Sequence, residues 1–232
     1  MDRPSVIAVE GDLWVLNKPS GVAVHPAGPD GPPDLMTLAV KELGAPSGLA
    51  PAHRLDLETS GIVLCSPSGA LRAQLGQWFK DGQVNKEYLA LVHGRTRLKG
   101  IIRRPLQDGR RGRPLEAVTR YKCLSWLGRM TLIKARPETG RQHQIRRHLQ
   151  GIGHAIVGDA RYPPKRPLKV PGFPDRLWLH SAALTLPDGR AFAAPLPPEL
   201  LAHLALLEAL FASDAPDRGE GATTLDAPDE PC

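Results

Sequence analysis

The stretch HRLDLETSG, residues 53–61, places an arginine, two carboxylates and a Thr-Ser-Gly turn directly ahead of an apolar run. If the stretch is extended, the alternation of side chains sends Arg54 and Asp56 to one side and Leu55 and Leu57 to the other. The two leucines would then anchor a loop on the core and leave the charged pair at a surface. An isolated Arg-x-Asp pair is usually a solvated ion pair of small energetic value. Its meaning therefore depends on the rest of the chain.

The length and composition favour one folded domain over residues 1–211, followed by an acidic tail rich in Pro and Asp over residues 212–232, which we expect to be disordered. The 24 prolines and 23 glycines indicate many turns and a loop-rich mixed fold. No apolar run is long enough to cross a bilayer, and the opening residues lack the pattern of a signal peptide. We therefore expect a cytoplasmic protein without a membrane partner.

Positive charge is concentrated in the middle of the chain. The whole chain has a net charge of +6, but residues 95–147 alone carry 16 lysines and arginines against 3 acidic residues. A cationic segment with so few interspersed acids suits a polyanion that needs several phosphates neutralised. The charge pattern therefore predicts contact with nucleic acid rather than a generic solvated surface.

Hydrophobic periodicity, capping residues and turn residues predict strands and helices in alternation. Asp34 is a predicted N-cap, Ser66 precedes Pro67 as a second one, and Thr139 with Gln142 forms a capping-box pattern. The predicted strands cover residues 5–9, 13–16, 62–65, 87–93, 118–124, 130–135 and 178–186. The predicted helices cover residues 35–43, 67–80, 140–150 and 198–211.

Several common kinds of catalytic site have little support in the sequence. His143 and His148 are five residues apart, which does not bring both onto one helical face, and the three cysteines form no C-x-x-C pair, so no metal site is predicted. Neither a nucleophile elbow nor a phosphate-binding glycine loop occurs. Asp56 remains as a carboxylate beside an arginine. Its carboxylate would be ionised at neutral pH and able to act as a nucleophile or base.

At this point the motifs resemble a known family. HRLDLETSG is similar to the H-R-L-D-x-x-T-S-G signature of the RluA branch of the RsuA/RluA pseudouridine synthases. Six further segments follow the order of that family: LNKPSGVAVHP (16–26), NKEYLALVHG (85–94), RRPLQDGR (103–110), KARPETGRQHQIRRHL (134–149), GHAIVGDARY (153–162) and LWLHSAALTLP (177–187). The ordered set makes chance similarity very improbable, although any one segment alone would be weak evidence.

The resemblance implies an α+β fold with a mixed, largely antiparallel central sheet, flanking helices and a central cleft. It also implies that a uridine is flipped out of its stack and isomerised without a cofactor or a metal. Asp56 resembles the catalytic carboxylate, Tyr88 the aromatic residue that stacks on the uracil, and Arg141 the arginine that pairs with the aspartate. From the residues alone, Tyr88 could instead be a packed core tyrosine, and Arg141 could merely hold a helix to the sheet.

Further residues are expected to bind the substrate. By resemblance, Arg54 fills the space left by the flipped base and Ile145 forms an apolar wall beside it. Because the chain begins at the first strand, we expect no N-terminal S4 domain, so affinity for RNA would come from basic residues of the catalytic domain: Arg103, Arg104, Arg110, Arg111, Arg113, Arg146 and Arg147.

Three functions remain in competition at this stage. The first is an RNA pseudouridine synthase whose RNA partner is tRNA or 23S rRNA, with tRNA favoured, and which has no obligatory protein partner. The second is a catalytically silent RNA-binding or RNA-folding protein on the same scaffold. The third is a metal-dependent nuclease, which the absence of clustered carboxylates disfavours.

Overall fold

The computed structural model describes residues 3–25, 34–107 and 112–212. The predicted RNA contacts Arg110 and Arg111 and all but the first residue of the predicted disordered tail lie outside these ranges. The elements of the described residues are β1 Ser5–Glu10, β2 Leu13–Lys18, α1 Leu35–Glu42, β3 Ala50–Pro51, β4 Ser60–Ser66, α2 Gly69–Lys80, β5 Asn85–His93, β6 Lys99–Arg103, β7 Leu106–Gln107, β8 Pro114–Leu115, β9 Val118–Leu127, β10 Met130–Pro137, α3 Gln144–Gly151, β11 Leu179–Thr185, β12 Ala191–Ala193 and α4 Pro198–Leu210.

One large sheet organises the described residues. Its strand order is β1-β2-β4-β11-β5-β10-β9-β6, with β3 added beside β4 and β12 beside β11. Every pairing described in this sheet is antiparallel except that of β4 with β11, which is parallel. The predicted α+β fold with a mixed, largely antiparallel sheet is confirmed.

Strand β4 lies at the centre of the fold and feeds both faces of the sheet. All seven of its residues are buried, and alternation sends Ile62 and Leu64 into the core cluster beneath α2. Val63 and Cys65 point the other way, into the cluster beneath α1. A third and larger cluster packs α3 and α4 against β5, β9 and β10. Because β4 follows the 53–59 loop directly, this loop is held at the edge of the core.

The predicted helix caps are right in one case and displaced in two. The Asp34 side chain accepts hydrogen bonds from the backbone of Met36 and Thr37 and caps α1, as predicted. Helix α2 is capped by Ser68 instead of Ser66, because Ser66 Oγ accepts a hydrogen bond from the Ser68 backbone.

Helix α3 also begins later than predicted, at Gln144. Thr139 Oγ1 and the Arg141 backbone N–H both donate to the side-chain oxygen of Gln144, and His143 lies in the left-handed region at φ 52°. Residues 139–143 therefore form a turn. The delayed start changes which residues face the sheet, since Gln144, Ile145, Arg146, His148 and Leu149 are the buried ones.

The arginine-rich segment contains strands that hydrophobic periodicity did not indicate. Strand β6 pairs with β9, and the short β7 and β8 form a hairpin of their own. Ile102 and Leu106 are buried while Ile101 is exposed, so the segment contributes a few buried side chains and leaves most of its described cations in solvent. Over the described residues, the longest apolar helices fall short of what a bilayer span requires.

Gly61 marks a close approach of β4 to β11. It has φ +114°, and a Cβ atom there would lie 2.2 Å from the Ser181 carbonyl oxygen. The parallel pairing of Gly61 with Ser181 therefore has no room for a side chain. This contact aligns the start of β4 with β11, directly after the 53–59 loop.

We expect Gly61→Ala to lower the free energy of unfolding by about 3 kcal/mol or more, through strain and overpacking. Gly76→Ala is the matched control, since a Cβ atom there meets nothing within 4 Å. In the middle of α2 this control should stabilise by about 0.5–1 kcal/mol. Denaturant unfolding measures both variants. Equal stability of Gly61→Ala and wild type would show that the close approach is not present.

Candidate active site

The loop that carries Asp56 is held by its backbone. Leu55 is buried as predicted, but Leu57 is half exposed, because residues 57 and 58 turn and break the alternation. The Leu57 carbonyl oxygen instead accepts hydrogen bonds from Lys18 Nζ at 3.0 Å and from the Gly21 backbone at 2.9 Å. The Thr59 N–H donates to the Asp56 carbonyl oxygen and closes the turn.

Asp56 faces two cationic or potentially cationic side chains across the cleft. Its carboxylate lies 3.7 Å from His143 Nε2 and 3.8 Å from Arg146 Nη1. Arg146 is almost completely buried and also forms a bidentate pair with Asp159, with both N–O distances at 2.8 Å. Its Nη1 donates to Glu58 Oε2 at 3.1 Å. One guanidinium therefore joins the Asp56 loop, α3 and the segment that follows Val157.

Arg141 does not lie beside Asp56. Its Nε donates to the Glu116 carbonyl oxygen at 2.9 Å, and the side chain is at the exposed mouth of the cleft. The arginine at ion-pair distance from Asp56 in the described chain is Arg146, which was expected to contact RNA. The difference follows from the late start of α3, which leaves Arg141 in the preceding turn and directs Arg146 inward.

Tyr88 lines the cleft on β5. Burial raises the pKa of Tyr88 to about 12, a hydrogen bond with Ser181 opposes this shift, and the charge of Asp56 adds to it. The phenol is therefore protonated at neutral pH. Its hydroxyl can donate a hydrogen bond, and its ring can stack on a planar base.

Burial also shifts the titration of the groups around Asp56. It is the largest cause that raises the pKa of Asp56, while His143 and Arg146 lower it and Glu58 raises it. Burial likewise lowers the pKa of His143, and the charge of Asp56 opposes that shift. His143 Nδ1 is hydrogen-bonded to the Tyr162 hydroxyl at 3.0 Å, which orients its other nitrogen toward Asp56.

The predicted site residues divide between the cleft and the surface. The cleft has a volume of about 570 Å³, and the predicted residues that line it are Arg54, Asp56, Tyr88, Arg141, Ile145, Arg146 and Arg147. Arg103, Arg104 and Arg113 are exposed outside it. Within the described residues, no cluster of three or more His, Cys, Asp and Glu side chains is placed to hold a metal ion.

Sequence reasoning missed several residues of the site. His143 lies beside Asp56. Arg146 contacts the other three residues that were missed, which are Glu58, Asp159 and Tyr162. The Tyr162 ring also contacts the His143 ring. The family-like segment GHAIVGDARY contains two of the missed residues, but only the fold shows that it meets α3. Lys86 was missed too, although it stands two residues before Tyr88 and alternation places both on one face of β5.

The sequence model of the family described as RNA pseudouridylate synthase matches residues 12–151. The chain belongs to this family. It is 35% identical over 69% of its length to ribosomal large subunit pseudouridine synthase D of Zymomonas mobilis, and it spans 56% of that protein. It is 36% identical over 83% of its length to the dual-specificity RNA pseudouridine synthase RluA of Haemophilus ducreyi, and it spans 88% of that protein.

Solved structures of pseudouridylate synthases share the fold. The human RNA pseudouridylate synthase domain containing 4 superimposes with a TM-score of 0.74 at 25% identity, covering 88% of this chain and 93% of that one. The chain spans only about half the length of several curated relatives, such as 59% of ribosomal large subunit pseudouridine synthase C from Vibrio parahaemolyticus. In this chain, the aspartate of the H-R-L-D-x-x-T-S-G pattern is Asp56.

The raised pKa of Asp56 means that its ionised form costs the folded protein free energy at neutral pH. This cost is present above the folded pKa and vanishes below the ordinary pKa of an aspartate. We therefore expect Asp56→Asn to unfold at higher denaturant concentration than wild type at pH 7, with the difference shrinking as the pH falls toward about 4.

The control for this prediction is Asp188→Asn. A hydrogen bond from Arg190 lowers the pKa of that exposed carboxyl, so its ionised form stabilises the fold and the substitution should act in the opposite direction. Denaturant midpoints at several pH values measure both effects. Lower stability of Asp56→Asn than wild type at pH 7 would contradict the assignment.

Proposed function

We propose that this protein isomerises a specific uridine of a structured RNA to pseudouridine. The observation that carries the proposal is the state of Asp56. In the part of the chain that the structure describes, its carboxylate accepts no hydrogen bond, although it lies within ion-pair distance of Arg146 and His143. It opens on a cleft that Tyr88 also lines. A carboxylate held in place but left unbonded is available to a substrate.

The isomerisation needs no co-reactant, because its atoms balance within one nucleotide. The bond from C1′ to the uracil nitrogen breaks, the ring rotates, a bond from C1′ to C5 forms, and the proton on C5 moves to the freed nitrogen. Two roles are open to Asp56, which either attacks C1′ or removes a proton. Each role requires the ionised form. We propose that neither a metal nor a cofactor takes part.

The cleft residues suit a base that has left its stack. We propose that Tyr88 stacks on the uracil, Ile145 forms an apolar wall, and Arg54 fills the space left in the RNA. Ile145 is buried at the cleft wall while Arg54 is exposed at its edge, which fits these two roles. The volume of about 570 Å³ accommodates a nucleotide.

Arg146 is proposed as the positioning residue for Asp56. Its bidentate pair with Asp159 fixes the guanidinium plane, and its charge lowers the pKa of Asp56 against the effect of burial. Arg141 is free to serve a different purpose at the mouth of the cleft. We propose that it binds RNA there, together with Arg147 and the exposed Arg103, Arg104 and Arg113.

The proposed target is tRNA rather than 23S rRNA. Support comes from RQHQIRRHL, residues 141–149, which resembles single-domain members that modify tRNA. The chain also spans 88% of the dual-specificity synthase but 56% of the ribosomal large subunit synthase D. We propose that the protein acts in the cytoplasm without an obligatory protein partner.

The test of the activity is to incubate wild type and Asp56→Asn with unmodified tRNA transcripts and with 23S rRNA transcript, without added metal. Carbodiimide adducts then map pseudouridine as reverse-transcription stops. We expect new stops in the tRNA arm with wild type alone. Stops in the rRNA arm alone would move the target to rRNA. Retained RNA binding without any stops would favour the catalytically silent RNA-binding protein.

The separate roles of the two arginines give a second test. Arg141→Gln should raise KM several-fold and leave kcat within about threefold of wild type, since it removes a binding contact and leaves Asp56 in place. Arg129→Gln is the control, because Arg129 lies in the turn between β9 and β10, outside the cleft. A hundredfold loss of kcat in single-turnover kinetics of Arg141→Gln would return Arg141 to the catalytic centre.

A further inference from the structure

Two lysines are buried in the described residues, and their surroundings differ. Lys18 is completely buried, and its Nζ donates to the carbonyl oxygens of Pro19, Val22 and Leu57 at 2.7–3.0 Å. Lys86 is 9% exposed, yet no oxygen of the described residues lies within hydrogen-bond or ion-pair distance of its Nζ. All three donors of Lys18 have acceptors in the protein, whereas the Nζ of Lys86 has none among the described residues and opens on the cleft.

An unpaired ammonium in a buried position destabilises the fold. Burial is the cause that lowers the pKa of Lys86, which means that the charged form is poorly solvated where it stands. Buried charges are normally paired or hydrogen-bonded because the cost of leaving them alone is high. The described residues supply Lys86 with no partner, so its Nζ is available to a ligand that enters the cleft.

The register of β5 directs Lys86 into the catalytic cleft. Lys86 and Tyr88 lie on one face of the strand, about 6.6 Å apart along it, and both line the cleft. Glu87 points to the opposite face, where it pairs with Lys134 at 3.0 Å and with Arg136. The neighbouring carboxylate in the sequence thus cannot reach the ammonium.

Two further cations, Arg54 and Lys80, line the cleft with Lys86, and Asp56 is the acid among the described residues that line it. His53 is neutral, since burial lowers its pKa to about 3, and its Nε2 accepts a hydrogen bond from the Leu64 backbone. Asp81, the C-cap of α2, is exposed, does not line the cleft and accepts hydrogen bonds from Gln77. An anion that enters here meets cations from three elements.

We propose that Lys86 binds a backbone phosphate of the RNA, in a subsite between α2 and β5 that Arg54 and Lys80 complete at the rim. The inference rests on the proposed function, because the ligand of this cleft is then an RNA and its anions are phosphates. A phosphate supplies several oxygens to the three donors of Lys86, and such charge-assisted bonds are strong when desolvated. The subsite lies one strand step from Tyr88, beside the nucleotide that reacts.

A phosphate-binding lysine and a structural lysine make opposite predictions for stability. Removing a structural lysine such as Lys18 leaves three carbonyl oxygens without a donor. Removing Lys86 abolishes an uncompensated charge and leaves no protein group unpaired. If Lys86 is kept for a ligand at the expense of the fold, replacing it by an apolar side chain of similar size should weaken RNA binding and raise the free energy of unfolding.

The experiment compares Lys86→Met with wild type, with Lys18→Met as the structural control and Lys41→Met, exposed on α1, as the surface control. Denaturant unfolding gives stability. Binding of a short labelled oligouridylate is measured over a range of salt concentrations. KM and kcat are measured on the unmodified transcript in which the pseudouridine site was mapped. Lys86→Arg tests whether a second cation restores binding.

We expect Lys86→Met to unfold at the same or a higher denaturant concentration than wild type. It should bind oligouridylate about tenfold more weakly. The slope of log K against log salt should fall in magnitude by about 0.7, the value for one lost phosphate contact on a single strand. The kcat should stay within about threefold, since Asp56 is untouched. Lys18→Met should lose stability, Lys41→Met should change nothing, and Lys86→Arg should restore the slope.

An unchanged salt slope and affinity for Lys86→Met would overturn the proposal, as would a loss of stability comparable to that of Lys18→Met with binding retained. The binding arm is independent of catalysis. If no RNA is isomerised but the slope of Lys86→Met falls, the phosphate subsite stands and the proposed function fails. If pseudouridine forms and the slope of Lys86→Met is that of wild type, the subsite alone fails.

Discussion

The guanidinium of Arg146 is the interaction on which the site depends. It is buried at the start of α3 and is shared by the carboxylates of Asp56, Glu58 and Asp159. A buried ion pair of this kind fixes an arrangement more than it adds stability. Here the arrangement brings together a loop, a helix and a turn that are far apart in the sequence. Leu55 packs in the core but Leu57 is half exposed, so charge and backbone hydrogen bonds hold the Asp56 loop together with the packing of one leucine.

The sequence was sufficient to predict the elements whose signals are local. Asp34 caps α1 because its carboxylate reaches two backbone N–H groups within three residues, and a contact of that range can be read from spacing. The strands β5 and β10 were predicted from apolar runs of β-branched and aromatic residues, and their pairing follows from burial on both faces. The HRLDLETSG motif likewise located the candidate catalytic carboxylate in the cleft.

Features that depend on tertiary contacts were beyond the sequence. The capping box expected at Thr139 and Gln142 does not form because Thr139 Oγ1 already accepts a hydrogen bond from the Val118 backbone N–H and donates to Gln144 Oε1. The start of α3 therefore moves from residue 140 to Gln144, and the expected roles of Arg141 and Arg146 are exchanged. A local pattern does not reveal this start, because His143, the N-cap of α3, forms no side-chain capping hydrogen bond.

Some polar groups in the described core and cleft have partners in the protein, and others do not. Lys18 and Arg146 have their donors paired with oxygens of the described chain, and both hold the scaffold of the cleft. Burial raises the pKa of Asp56 and lowers that of Lys86, so each of these cleft residues carries its charge against the preference of its surroundings. Such groups destabilise the free protein, and a ligand that pairs with them offsets the cost only when it is bound in the cleft. An anion offsets the cost of Lys86 alone, because Asp56 is itself an anion and its charge is stabilised only by positive groups such as Arg146.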